Sequence, residues 1–232
     1  MGIEQFERTV LLVRAEGLTQ LRAAKVAVVG CGAVGSFAVE ALARAGVGYL
    51  ILVDGDVVAE SNINRQLCAL HSTVGQPKVD VLKNRVHDIC PETKVVAQKV
   101  FIDDKNCGDV LGKDIDLIVD AIDMVSGKIP LILYAQKGNI PLISSMGAAM
   151  KTDISKIKVA PLNQTSVCPL AARVRRLVKE QGGNLNFPCV FSVEKPVGKQ
   201  EVGRKMGSLV TMTGTFGLAL ANEVIKRIVN NV

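Results

Sequence analysis

Only two histidines occur in the 232 residues, and the six cysteines, at 31, 68, 90, 107, 168 and 189, follow no regular spacing. Such irregularity, with Cys31 inside a glycine turn, favours reduced thiols in a cytosolic protein. His71 and His87 have no recognisable partner in sequence, which leaves both as structural residues. The first residues, Met-Gly-Ile-Glu-Gln-Phe-Glu-Arg, lack the long apolar core of a signal peptide. The longest uncharged stretch, Met206 to Asn222, contains glycines, a serine and threonines. It is marginal for a hydrocarbon layer of ~30 Å, so a buried C-terminal helix is expected and a transmembrane span is not. No repeat or low-complexity segment occurs. With 48% hydrophobic and 22% charged residues, the chain suits one globular domain over 1–232.

What is present begins with an apolar run, Val26 to Val29, entering Gly30-x-Gly32-x-x-Gly35. A strand, a glycine turn and a helix start in that order aim backbone N–H groups and a helix dipole at an anion. The motif alone is weak, because close packing of strand and helix also calls for glycine. Leu50 to Val53 reads as the next strand, and Asp54, 24 residues after Gly30, suits a ribose hydroxyl. Asp56 is ambiguous, a second acid at a strand end. Arg65 and Lys78 lie just beyond that strand. A dinucleotide's bridging phosphates need only the glycine turn, whereas the roughly four charges of ATP call for side-chain cations. Lys78 follows Pro77 at an expected helix start, where a cation opposes the dipole and a triphosphate would supply the reason for it. Asp123, the second acid of Val119-Asp120-Ala121-Ile122-Asp123, could hold Mg²⁺ at a strand end or cap the following helix.

Alternation of strands and helices predicts a doubly wound α/β fold, a mostly parallel sheet with a Rossmann-like nucleotide-binding core and a C-terminal extension. The expected elements are a helix at 4–16, then 26–30, 34–45, 48–53, 77–89, 94–99, 116–120, 126–138 and 141–145, with Gly46-Val47-Gly48 ending the first crossover helix. The core spans about 20–160. Beyond Ile157-Lys158-Val159 the pattern loosens; a helix is expected at 169–181, a strand at 187–193 and a mobile loop at 194–208. Residues 151–205 hold 11 Lys/Arg against 4 Asp/Glu, so the net charge of +6 belongs to this segment. Arg173, Arg175, Arg176 and Lys179, followed by Lys195, Lys199, Arg204 and Lys205, suggest a polyanion such as nucleic acid, although only Phe187 and Phe191 are there to stack on bases. A solvated polar face is the plainer reading of the same charges.

Asn62-Ile63-Asn64-Arg65-Gln66, Gly46-Val47-Gly48, Val119 to Asp123, Thr165 to Ala171 and Cys189-Val190-Phe191-Ser192 together make the chain resemble the adenylating enzymes of the ubiquitin-activating type. Within that superfamily the likeness is greatest to the branch that dehydrates N6-threonylcarbamoyladenosine in tRNA. It implies ATP and Mg²⁺ as cofactors and tRNA as partner, with residues 161–232 forming a basic substrate-binding segment and C-terminal helix. Asn62, Arg65, Gln66 and Lys78 would bind nucleotide beside Gly30, Gly32, Gly35 and Asp54. Arg65, Lys78, Asp123 and Arg8 would be catalytic, Arg8 reaching into a neighbouring subunit of a homodimer. Relatives that activate sulfur-carrier proteins carry two Cys-x-x-Cys pairs for structural zinc; this chain has none, so no structural zinc is expected. Activation of a ubiquitin-like sulfur carrier's C-terminal glycine is the alternative, and a sulfur-carrier or sulfur-transfer protein is a further candidate partner. Cys168, before Pro169 in an expected exposed loop, and Cys189, in an apolar strand, are candidate thioester nucleophiles with no base beside them. A nicotinamide oxidoreductase would need only the glycine turn and Asp54, leaving Arg65, Lys78 and Asp123 unexplained.

Overall fold

A computed structural model describes residues 3–112, 114–198 and 206–229. Among these residues seven strands form one sheet: β1 (Lys25–Val29), β2 (Tyr49–Val53), β3 (Lys94–Gln98), β4 (Leu117–Asp120), β5 (Leu142–Ser145), β6 (Ile157–Pro161) and β7 (Pro188–Ser192), in the order β3-β2-β1-β4-β5-β7-β6. All neighbours are parallel except β6, which closes the edge antiparallel to β7. The helices are α1 (Glu7–Ala23), α2 (Gly35–Ala45), α3 (Lys78–Ile89), α4 (Cys107–Leu111), α5 (Val125–Lys137), α6 (Pro169–Glu180) and α7 (Val210–Ile228). The doubly wound expectation holds, because successive side chains of a strand point to opposite faces and both faces are covered. In β1, Val26 and Val28 join a core with α2, α3 and α7, while Ala27 and Val29 join one with α4, α5 and α6.

Strand order reverses between β1 and β4, and a ligand crevice is expected there, at the strands' carboxyl ends. The glycine turn leaves β1 at that point and residues 121–123 leave β4 beside it. On the far side, α7 packs across α2. A Cβ on Gly217 would sit 2.3 Å from the Val34 carbonyl oxygen and 2.7 Å from the Phe37 Cβ, so glycine is what lets the two helices approach. Gly46, at φ 89°, ends α2 as its left-handed cap.

Several expectations need correction. The N-terminal helix does not stop at 16: α1 runs to Ala23, because Gly17, Leu18 and Leu21 continue the buried face begun by Val13. It is broken once, at Arg14 (φ 63°, ψ 174°), and Leu11 and Leu12 before the break are 82% and 70% exposed. Helix α4 and β6 were not among the expected elements: five residues of α4 are too few to show a helical period, and β6 is a short edge strand ending on Pro161. The uncharged 206–222 stretch forms most of α7, which extends to Ile228 because the turns that follow still present Val224 to the core. Among the described residues, no helix is long and apolar enough to cross a membrane. Of the loop expected at 194–208, residues 199–205 lie outside the described residues. Its described ends are fastened, since the Val197 N–H donates to the Met150 carbonyl and the Met150 N–H to the Gly207 carbonyl.

Candidate active site

The three glycines of the turn do different work. Gly30 adopts φ 90°, and a Cβ there would lie 2.7 Å from the carbonyl carbon and oxygen of Ala121. Gly35 sits so close to the Gly30 carbonyl oxygen that a Cβ would fall 1.8 Å from it. Packing alone therefore explains both. Gly32 meets nothing nearer than the Gln66 amide, 3.8 Å from its would-be Cβ. This is the position where backbone lies open to a phosphate.

Asp54, at the end of β2, is clamped by two backbone donors: the Cys31 N–H to Oδ2 at 2.7 Å and the Asp56 N–H to Oδ1 at 2.8 Å. Burial pushes its carboxyl above the ordinary aspartate value, opposed by the Asp56 N–H and the Lys78 charge. The acid thus joins the glycine turn to β2 and stays fixed with lone pairs to spare. Lys78 opens α3 as expected, is only 5% exposed, and donates from Nζ to Asp56 Oδ2 at 2.8 Å. Asp56 thereby gains a role, that of holding Lys78 beside Asp54. With Asp56 about half exposed, this pair adds little to stability, and an anion of higher charge can compete for the lysine.

Asn62 turns back to accept the Ala59 N–H at 3.1 Å, which shapes the loop. Arg65 is half-buried and donates to the Ser61 carbonyl and Asn64 Oδ1, both at 2.8 Å. Gln66 is buried against Gly32. The whole loop is tied to the glycine turn by the Leu67 N–H, donating to Ser36 Oγ at 3.1 Å, and by the Cys68 thiol, 3.8 Å from the Cys31 carbonyl. Gly30, Gly32, Asp54, Gln66 and Lys78 are thus brought together, while the contacts of Arg65 stay within its own loop.

Asp123 is exposed at the end of β4, in the turn whose backbone abuts Gly30. Among the described residues no group of three or more His, Cys, Asp or Glu side chains could hold a metal. One carboxylate is what Mg²⁺ commonly takes from a protein when substrate phosphates and waters supply the rest, so Asp123 fits a nucleotide-borne ion. The other acid of the motif was missed. Asp120 is fully buried and paired at 2.6 Å with an equally buried Lys128 of α5. A lysine amid the apolar Ile129, Leu131 and Ile132 was the available signal, since such a cation needs a buried partner.

Cys168 is 3% exposed, not presented by a loop, because its peptide caps α6 and its sulfur packs on Gly147. Cys189 is fully buried, which pushes its thiol far above the ordinary range. Of the basic residues, Arg173, Arg176, Lys179 and Lys195 are exposed. Arg176 bonds Glu180 at 3.0 Å. Arg175 is turned inward instead, donating to the Thr165 carbonyl at 2.8 Å and to the Thr165 hydroxyl. Phe191 is buried and unable to stack on a base, leaving Phe187, half-buried. Lys199, Arg204 and Lys205 lie outside the described residues. Arg8 is exposed on α1, away from this crevice's own lining.

Residues 6–231 match the model of the ThiF family. Over 203 residues, 88% of this chain and 80% of the relative, the sequence is 45% identical to a tRNA threonylcarbamoyladenosine dehydratase of Bacillus subtilis. It is 34% identical to that of Escherichia coli over 97% of this chain and 93% of the relative. The fold is similar to the crystal structure of the E. coli tRNA N6-threonylcarbamoyladenosine dehydratase in complex with ATP: TM-score 0.91, 35% identity, covering 97% of this chain and 94% of that one.

Proposed function

The chain belongs to the ThiF family, and from that premise we propose that it is an ATP-dependent adenylating enzyme that dehydrates N6-threonylcarbamoyladenosine in tRNA. The observation that carries this reading is the crevice at Gly32, where open backbone, the clamped Asp54 and a lysine held only by a half-exposed acid face one another. Close relatives of this length and fold are named for that reaction and one of them was crystallised with ATP, which favours it over activation of a sulfur carrier.

In the first step the substrate carboxylate attacks the α-phosphorus of ATP, and pyrophosphate leaves with the electron pair of the broken P–O bond. Asp54 accepts ribose hydroxyls and the turn's N–H groups receive phosphate oxygens. Lys78 leaves Asp56 for the more highly charged phosphates, and Arg65 offers its planar fork to charge developing at phosphorus. Bound Mg²⁺ would neutralise phosphate charge, with Asp123 as its protein ligand. In the second step a nitrogen or oxygen of the neighbouring carbamoyl unit attacks the acyl carbon, and AMP departs carrying the former carboxylate oxygen. A five-membered ring closes with loss of a proton and the net loss of one water. Proximity within one substituent makes a protein nucleophile unnecessary, in keeping with the burial of Cys168 and Cys189.

Arg173, Arg176 and Lys179 are offered as phosphate contacts for tRNA, which goes with a cytoplasmic setting. A homodimer in which Arg8 enters the partner's crevice completes the proposal; the molar mass in solution tests it. The deciding experiment incubates the protein with ATP, Mg²⁺ and bulk tRNA, digests the RNA and weighs the modified adenosine. Loss of one water's mass is expected. An unchanged mass, with adenylation of a sulfur-carrier protein instead, would replace this reading by the alternative.

A further inference from the structure

We infer that Asp120 and Lys128 are positioning residues that set the turn bearing Asp123 against the glycine turn. Both side chains are wholly buried, and every donor of the ammonium is used: Asp120 Oδ2 at 2.6 Å, Ser144 Oγ at 3.1 Å and the Ser145 carbonyl at 3.0 Å. The Ser144 hydroxyl in turn donates to Asp120 Oδ2 at 2.5 Å. This network fixes the carboxyl ends of β4 and β5 to one point on α5. The remaining oxygen, Asp120 Oδ1, accepts the Ile122 N–H at 3.1 Å. That bond reaches out of the core, because Ile122 lies between Ala121, whose carbonyl packs on Gly30, and the exposed Asp123.

Stability does not account for such a pair. Desolvating two charges offsets most of their attraction, and apolar residues of similar volume often replace a buried ion pair at no cost. What apolar residues cannot do is hold the Ile122 N–H. A carboxylate fixed by Lys128 and Ser144 gives that N–H an acceptor with one allowed position, and the turn inherits it. Asp123 stands two residues from the Ala121 carbonyl that packs on Gly30, so a shift of about 1 Å in this turn moves a proposed site residue by as much, enough to misalign an in-line displacement and slow it about 10²-fold.

The inference rests on the proposed reaction, and its test separates the two. Two double variants remove both charges. Asp120→Leu/Lys128→Met leaves Ile122 without an acceptor, whereas Asp120→Asn/Lys128→Met keeps an amide oxygen for it. Each is compared with the intact protein by thermal melt, ATP affinity, turnover on tRNA and hydrogen exchange at the Ile122 amide. The leucine variant should keep ATP affinity within about threefold, exchange Ile122 rapidly and lose on the order of 10²-fold in kcat. The asparagine variant should keep Ile122 protected and lose no more than about tenfold. A purely structural role would move both variants together with their melting temperatures. Equal losses of kcat in the two, or a folded leucine variant with kcat within about threefold of the parent, would overturn the inference. Should the leucine variant not fold, the asparagine variant decides: protected Ile122 with retained turnover supports positioning, and protected Ile122 with a loss beyond about 10²-fold refutes it. If the unaltered protein yields no dehydrated adenosine, the proposed reaction fails, while the Ile122 exchange rates still report whether the pair sets the turn.

Discussion

Substituting alanine at Gly30 and at Gly32 should separate fold from function within one turn. At Gly30 the methyl group meets backbone, 2.7 Å from the Ala121 carbonyl, at φ 90°. A left-handed alanine costs roughly 1–2 kcal/mol, and forcing a group into packed surroundings adds about 1–3 kcal/mol. The sum, about 2–5 kcal/mol, corresponds in a chain of this length to a fall in Tm of about 5–15 °C. At Gly32 the same methyl has its nearest neighbour at 3.8 Å, and stability should change by less than about 0.5 kcal/mol. If phosphate oxygens approach the backbone there, the methyl displaces them and weakens one charge-assisted hydrogen bond, worth about 1.5–3 kcal/mol. ATP affinity should then drop roughly 10- to 100-fold. Calorimetric titration with ATP and a thermal melt on each variant read both quantities. Gly32→Ala binding ATP as tightly as the parent would remove the glycine turn from the nucleotide site, and an unchanged Tm for Gly30→Ala would refute the packing account.

Four further outcomes are expected. Arg65→Ala should lower kcat by on the order of 10²–10³-fold with less effect on ATP affinity, measured by steady-state turnover; equal activity would exclude the guanidinium from the chemistry. Arg173→Ala, Arg176→Ala and Lys179→Ala together should lower the log–log salt slope of tRNA binding by up to about 3, whereas Arg175→Ala should act on stability through the Thr165 turn. Burial works against the Glu40 carboxylate, but hydrogen bonds from Arg85 and Arg44 outweigh it and hold its pKa below the ordinary value. Its contribution is therefore complete above the unfolded value of about 4.3 and is lost as pH falls through the lower folded one. Glu40→Gln should flatten the acid limb of a stability–pH profile, and an unchanged limb would show the pair to be inert. All six buried thiols should react slowly with a thiol reagent in the native state, with Cys31 held back by burial and the Asp54 charge; Cys168→Ala should retain turnover.

Elements that alternate between two-sided burial and turn chemistry were legible in the sequence. Gly30, Asp54 and Lys78 landed at strand and helix boundaries, because glycine, acid and proline signals there are local. Legibility failed where the cause was distant. Asp56 reads as a spare acid until Lys78, 22 residues on, is seen to grip it. Asp120 and Lys128 are eight residues apart; the apolar neighbours of Lys128 hint that it is buried, but only the closing of β4, β5 and α5 shows which acid it meets. Arg175 differs from Arg173 and Arg176 in nothing but its direction, which the Thr165 turn decides. Cys168 reads as exposed because a residue before proline signals a bend, which says nothing of the packing of what the bend carries.

The contact between Gly217 and Val34 bears on when this molecule becomes competent during its synthesis. Val34 is the residue on which α2 begins, and the surface that backs it belongs to α7, made after every strand of the sheet. A nascent chain that stops short of α7 lacks Met212, Phe216, Leu220 and Val224, which complete the core shared with β1 and α2. Ribosome-bound chains halted before Val210 should therefore fail to retain ATP, and α7 supplied later as a separate peptide should restore it. Synthesis of α7 is thus the step expected to make the crevice competent for ATP.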